Sequence, residues 1–372
     1  MIVSRGQGDI ADDAHWNDVH ALASAAPVSA GADTDAAFQA RMLAGVSRTF
    51  ALTIPQLPHR LAQVVANAYL LCRIVDTIED EPAVSPSLKG ALCAQFVAAL
   101  SGAKTAQQLT RQLRPLLSNR SSPAERELIE HAERVVRITH QFSATEQEAL
   151  IECVAVMGAG MVKFQEEPVH GLPDLPALGR YCYHVAGVVG EMLTKLFCEY
   201  SPEIARHRER MLTLAVAFGQ GLQMTNILKD VWEDLERGMC WLPRDVFAEA
   251  GFDLGALASG GKSEAFAQGM RRMIAIAHAH LESALQYTLL IPSHEVAIRN
   301  FCLWSIGMAL LTLRKINDHL DFRSSQEVKI SRRSVRVTVL ASRLFARSDA
   351  ALRLLFRAAA AGLPALPSAS GK

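Results

Sequence analysis

Residues Gln223-Met224-Thr225-Asn226-Ile227-Leu228-Lys229-Asp230-Val231-Trp232-Glu233-Asp234 decide how the chain is read. Asn226, Asp230 and Asp234 are spaced i, i+4, i+8. On an α-helix that spacing sets one amide and two carboxylates in a row along one face. Met211, Leu214, Phe218 and Leu222 precede them at helical spacing, and no proline occurs between Pro202 and Pro243. A single helix is therefore predicted from Ser201-Pro202-Glu203 to beyond Thr225. Carboxylates four residues apart repel each other on a helix, so the row calls for a cation. A second row follows the apolar run Val64 to Cys72: in Arg73-Ile74-Val75-Asp76-Thr77-Ile78-Glu79-Asp80, Asp76 and Asp80 are again four apart. A lone D-x-x-x-D is ordinarily a solvated acidic face. Here both rows interrupt strongly apolar helices, which makes the carboxylates read as the rim of an apolar cavity. Too few to close a cage, they suit Mg²⁺, which takes oxygen ligands and shares its shell with water and phosphate.

The rest of the chain also reads as helix. Half of its 372 residues are hydrophobic but only 6% are aromatic, and the apolar half is dominated by Ala and Leu, which favours an all-α fold. Ser122-Pro123-Ala124-Glu125 supplies an N-cap, a first-turn proline and a capping-box acid. The alternation Val335, Val337, Val339 is assigned to helix, because an isolated strand would have no partner. Met157-Gly158-Ala159-Gly160-Met161 marks close helix packing rather than a nucleotide loop.

Lys+Arg and Asp+Glu number 38 each, which argues against a nucleic-acid partner. That neutrality is a sum of unequal parts. Residues 1–40 hold one basic and six acidic side chains, whereas residues 331–372 hold eight basic and one acidic. The seven cysteines show no C-x-x-C spacing, and the N-terminus lacks the basic and apolar regions of a signal peptide. The apolar segment Cys302 to Leu313, about twelve residues, is short of the roughly 20 that span a bilayer. A cytoplasmic location is expected. The basic, leucine-bearing C-terminal segment is suited to peripheral contact with a membrane surface or, equally, to docking on the protein body.

Four motifs in order resemble those of the squalene/phytoene synthase family: Ser47-Arg48-Thr49-Phe50, the helix Tyr69 to Asp80, Tyr181-Cys182-Tyr183-His184-Val185-Ala186-Gly187, and Gln223 to Asp234. The resemblance spans about Phe38 to Arg333. It implies a single-domain isoprenoid-synthase-type helical bundle around a central apolar cavity, with residues 36–335 as the catalytic domain; residues 1–35, rich in Ala, Ser, Gly and Asp, read from composition as a mobile tail, and 336–372 as the basic C-terminal segment. It further implies that Mg²⁺ is held by Asp76, Glu79, Asp80, Asn226, Asp230 and Asp234. Farnesyl diphosphate would be the substrate, its diphosphate met by Arg48, Arg73, Gln223, Lys229 and Arg237. Tyr181 and Tyr69 join Asp76, Asp80 and Asp230 as catalytic candidates. Arg299-Asn300-Phe301-Cys302-Leu303-Trp304 and Val328-Lys329-Ile330-Ser331-Arg332-Arg333 resemble elements of the family's reductive, squalene-forming members, which implies NADPH at Asn300, Phe301, Lys329, Arg332 and Arg333. Lys229 stands where those members usually carry Arg, and their long apolar C-terminal anchor is absent from this sequence. Two alternatives stay open: a synthase that stops at presqualene diphosphate or makes dehydrosqualene or phytoene, and a non-enzymatic helical scaffold that binds Mg²⁺.

Overall fold

The computed structural model describes residues 34–164, 170–259 and 263–366. Among these the chain is helical throughout, its one β feature an isolated parallel bridge between Leu172 and Pro243. The expected N-terminal tail lies almost wholly outside the described residues; the first helix, Asp35–Val46, is capped by the Thr34 side chain. The chain folds as two compact units, one running to Lys163 and including Glu191–Arg208, the other made of Phe164–Gly190 and Glu209–Lys372.

The first unit is organised by the helix His59–Asp80. Almost every side chain from Val64 to Ile78 is buried, and a helix apolar on all sides belongs in the middle of a bundle. Asp35–Val46, Ala144–Lys163, Pro86–Leu100 and Ala132–Thr139 pack around or beside it. Asn67, fully buried, is satisfied by Gln39, the Val135 carbonyl and Thr139, so it joins three helices without an orphaned group. The capping box at Ser122 is formed from both sides: Glu125 N–H donates to Ser122 Oγ at 3.2 Å and Ser122 N–H to Glu125 Oε2 at 2.8 Å. A Cβ at Gly158 would stand 3.0 Å from that of Cys93, the close helix crossing expected of this glycine pair.

In the second unit the long helices Glu264–Leu290 and Val296–Asp318 form its main pair, with Arg332–Phe345 and Asp349–Ala359 packed on them. The predicted helix at Val335 is present; it begins at Arg332 under a Ser331 cap and runs across the boundary drawn at residue 335. The single helix predicted from Pro202 onward is corrected. Pro202–Ala205 is one isolated turn, the main helix is Arg208–Lys229, and a short helix, Val231–Glu236, follows Asp230. Asp230, at φ −97° and ψ 14°, leaves α-helical geometry yet still donates to the Asn226 carbonyl at 2.8 Å and accepts from Asp234 N–H at 2.9 Å. Residue spacing alone carries no signal for such a local bend.

His59–Asp80 and Val296–Asp318 are long and apolar enough to cross a membrane, but 89% and 67% of their most apolar windows are buried inside the protein, as in core helices. The second contains the segment Cys302–Leu313, and its helix extends beyond that segment at both ends. All seven cysteines are free thiols.

Candidate active site

In the first unit, Tyr69, Arg73, Asp76 and Asp80 occupy successive turns of one helix, and the first three form a buried network. Arg73, 2% exposed, donates from Nη2 to Tyr69 Oη at 3.1 Å, and its Nη1 lies 3.9 Å from Asp76 and 3.5 Å from Glu125. Tyr69 Oη also meets the Val46 carbonyl at 3.4 Å, and its ring tilts against Phe50 with centroids 5.0 Å apart. Burial raises the Tyr69 phenol above its ordinary pKa, against the opposing charge of Arg73, so it is held protonated. Glu125 emerges here with a role the sequence did not reveal: one carboxylate oxygen closes the Ser122 cap while the other faces Arg73.

Glu79 and Asp80 end that helix, with no basic side chain in its last turn. Carboxylates at a helix C-terminus oppose the orphaned carbonyls there. Burial, then the charge of Asp80, pushes the Glu79 carboxyl up to about 8. Lys89 donates Nζ to the Glu79 carbonyl, a tie between helices that sequence spacing does not disclose. Arg48 opens the helix Arg48–Thr53 under the Ser47 cap; its side chain lies outside the described groups.

The second unit carries the other row. Asp230 and Asp234 are 5% and 4% exposed. Lys229 Nζ stands 3.3 Å from Asp230, and Arg237 Nη2 stands 2.5 Å from Asp234 while its Nε donates to the Glu233 carbonyl. Burial raises the Asp230 carboxyl, and Lys229 only partly offsets it. Gln223, 3% exposed, has no hydrogen-bond partner at Oε1. An incompletely compensated buried acid and an orphaned buried oxygen, in a ligand set made of oxygen, are what a hard divalent cation would satisfy. Among the described residues no three His, Cys, Asp or Glu side chains converge as a ready-made metal cage.

Tyr181 is fixed to this second row by backbone packing. It lies on Leu175–Cys182, followed by one π-helical turn, Tyr183–Gly187. A Cβ on Gly219 would fall 2.2 Å from the Ala186 carbonyl oxygen, and one on Gly190 would fall 2.3 Å from that of Ala215. Only glycines admit this approach. Gln220 adds a hydrogen bond to the Gly179 carbonyl at 2.9 Å. The Tyr181 ring is 2% exposed, stacks on Trp241 at 4.0 Å and 9°, and meets Phe164 edge-on at 5.5 Å. Trp241 was not foreseen. It is brought there by Leu172 N–H donating to the Leu242 carbonyl and Arg244 N–H to that of Leu172, a long-range pairing without helical period.

The residues assigned to NADPH divide by burial. Asn300 and Phe301 are each 5% exposed on Val296–Asp318, with Asn300 Oδ1 lacking a partner. Lys329, Arg332 and Arg333 are exposed in and after the loop that precedes Arg332–Phe345. That loop is tied to the second row, since Ser325 N–H donates to Glu233 Oε1 at 2.7 Å and Phe322 meets Trp232 edge-on at 6.3 Å.

A family model described as squalene/phytoene synthase matches residues 43–334. Squalene synthase ERG9 of Gibberella zeae is 29% identical over 301 residues, covering 80% of this chain and 60% of that protein. Squalene synthase BSS of Botryococcus braunii is 29% identical over 289 residues, covering 76% and 58%. The chain thus spans about three fifths of the length of these relatives. Among solved structures, a complex of TcSQS with the ligand BPH1237 aligns with a TM-score of 0.70 at 24% identity, over 88% of this chain and 98% of the other. A dehydrosqualene synthase aligns with a TM-score of 0.64 at 20% identity, over 84% and 97%. These likenesses establish the all-α isoprenoid-synthase fold.

Proposed function

The chain belongs to the squalene/phytoene synthase family, and from that premise we propose that it condenses two farnesyl diphosphates head to head to presqualene diphosphate and reduces this to squalene with NADPH. The observation that carries the reading is that Tyr181 is locked, through the Gly219–Ala186 contact, onto the helix that bears Asn226 and leads into Asp230. A proton-handling phenol and an acidic row on one rigid piece suit a reaction that loses diphosphate and then a proton.

Asp76, Glu79 and Asp80, and likewise Asn226, Asp230 and Asp234, would hold Mg²⁺. When bound, it neutralises the departing diphosphate as a Lewis acid. Arg48, Arg73, Gln223, Lys229 and Arg237 would complete the diphosphate's surroundings; Lys229 and Arg237 already stand beside the second row. Tyr181 would assist the proton loss that closes the cyclopropane, with released diphosphate as the final acceptor. Trp241 and Phe164 would hold its ring in place and keep water from the allylic cation. Tyr69, anchored by Arg73, would position substrate. NADPH, the hydride source of the second half, would be held by Asn300, whose buried Oδ1 is unpaired, with Phe301, Lys329, Arg332 and Arg333. A hydrocarbon product makes a membrane surface the fitting neighbour for residues 336–372.

Incubation with radiolabelled farnesyl diphosphate and Mg²⁺, with and without NADPH, tests this by chromatography of the lipids. Squalene with NADPH, and presqualene diphosphate accumulating without it, is the expected result. Dehydrosqualene as product would replace the reductive half, and absence of pyrophosphate release would reject the enzymatic reading.

A further inference from the structure

The helix Arg332–Phe345 presents the wrong face to water. Its inward side carries Thr338 and Ser342 beside the half-buried Val335 and Val339: Ser342 Oγ accepts from Trp304 Nε1 at 2.6 Å, and Thr338 fills the space that a Cβ on Gly307 would need, 2.5 Å away. Its leucines and Val337 point outward. Val337, Leu340 and Leu344, at i, i+3, i+7, are 59%, 60% and 67% exposed and form one stripe. Leu354 on the next helix is also 67% exposed. Among the described residues, six of the eight exposed large hydrophobics lie from Val337 onward, so the patch is local and not a general feature of the surface.

The charge around the stripe has one sign. Seven arginines lie between Arg332 and Arg357, all exposed, and the one acid in that span, Asp349, is taken up by the buried Arg299 at 2.7 Å. Arg299 also donates to the Ala346 and Ile291 carbonyls, and His278 stacks on Phe356. Both helices are thus fastened to the protein through their inner sides, with the stripe left outward. A second copy of the chain meeting this face symmetrically would bring arginines against arginines, which opposes self-association. An anionic lipid surface complements both properties together, with apolar side chains entering the acyl boundary while guanidinium groups meet phosphate.

We propose that the Val337–Leu340–Leu344 face of Arg332–Phe345, extended by Leu354, is a docking surface for anionic bilayers and binds in the plane of the interface without crossing it. This deepens the membrane part of the functional reading, but it is tested without turnover. The full-length protein is floated with phosphatidylcholine vesicles, with and without phosphatidylglycerol. Binding should be at least roughly tenfold stronger to the anionic vesicles and should weaken with salt. The combined variant Val337→Ser, Leu340→Ser, Leu344→Ser should lose binding to both, and Arg336→Glu with Arg347→Glu should lose the anionic preference; both should unfold at the wild-type temperature, since these side chains are exposed. Absence of flotation, or undiminished flotation of the serine variant, overturns the proposal. So does a wild-type dimer that the serine variant dissociates, which would assign the stripe to a second copy. Product formation in detergent micelles, measured alongside, fails only if the catalytic reading fails.

Discussion

The two acidic rows share a spacing and differ in almost everything else. Asp76 and Asp80 sit on an unbroken helix of 22 residues and approach its C-terminal end, where carbonyls point outward and no basic side chain occupies the last turn. Asp230 and Asp234 straddle a break: Asp230 is the cap between two helices, and Asp234 lies in the first turn of the second, where free N–H groups favour negative charge. One row is thus held in opposition to its own backbone, with Arg73 beside Asp76 as a cation on the same helix. The other is partly accommodated by it and by Lys229 and Arg237. A shared D-x-x-x-D pattern specifies which groups are present, not the field in which they stand.

The largest effect expected from breaking either row is on turnover. Asp80→Asn and Asp230→Asn should each lower Mg²⁺-dependent pyrophosphate release by about a hundredfold or more, as loss of a charge-stabilising group in a desolvated site does. Near-normal release from either variant would remove that row from the chemistry. Next comes the junction that ties Tyr181 to the second row. Gly219→Ala forces a methyl to 2.2 Å from the Ala186 carbonyl oxygen and should cost about 1–3 kcal/mol of stability, read in urea unfolding. The matched Gly158→Ala in the first unit meets the Cys93 Cβ at 3.0 Å and should cost less.

The smallest effects sharpen the electrostatic contrast, with Asp35 as a reference acid outside both rows. Hydrogen bonds from Arg137, then Gln141 and Arg134, outweigh partial burial and lower its carboxyl from 3.8 to about 2. A depressed acid contributes stability above its unfolded pKa and loses it as pH falls through the folded value. Asp35→Asn should therefore cost about 1 kcal/mol at neutral pH, and the difference should fade between about pH 4 and 2. Asp80→Asn in metal-free protein should act in the opposite sense, raising stability by about 0.3–1 kcal/mol through relief at the helix end. Equal destabilisation by both substitutions would show that the helix end does not set the cost of the first row.

Much of the fold was legible because it is local. The helix start at Ser122, the helix through Val335–Val339, the apolar run Val64 to Cys72 and the close packing at Gly158 follow from caps, period and side-chain size. Family motifs nominated the site residues. The break at Asp230 was illegible because its flanking residues keep helical spacing. Trp241, the approach of Glu125 to Arg73 and Lys89 escaped because each reaches its partner across sequence distance, through a loop pairing, the free oxygen of a capping carboxylate and an interhelical tie.

The sequence by itself determined the helical class, the order of the motifs and the concentration of basic charge after residue 331, since composition, period and spacing encode these directly. Only the tertiary structure decided which carboxylates are buried, which aromatic ring pins Tyr181 and which side of Arg332–Phe345 faces water. Those depend on what packs against each face, and that is fixed by contacts between residues far apart in the chain.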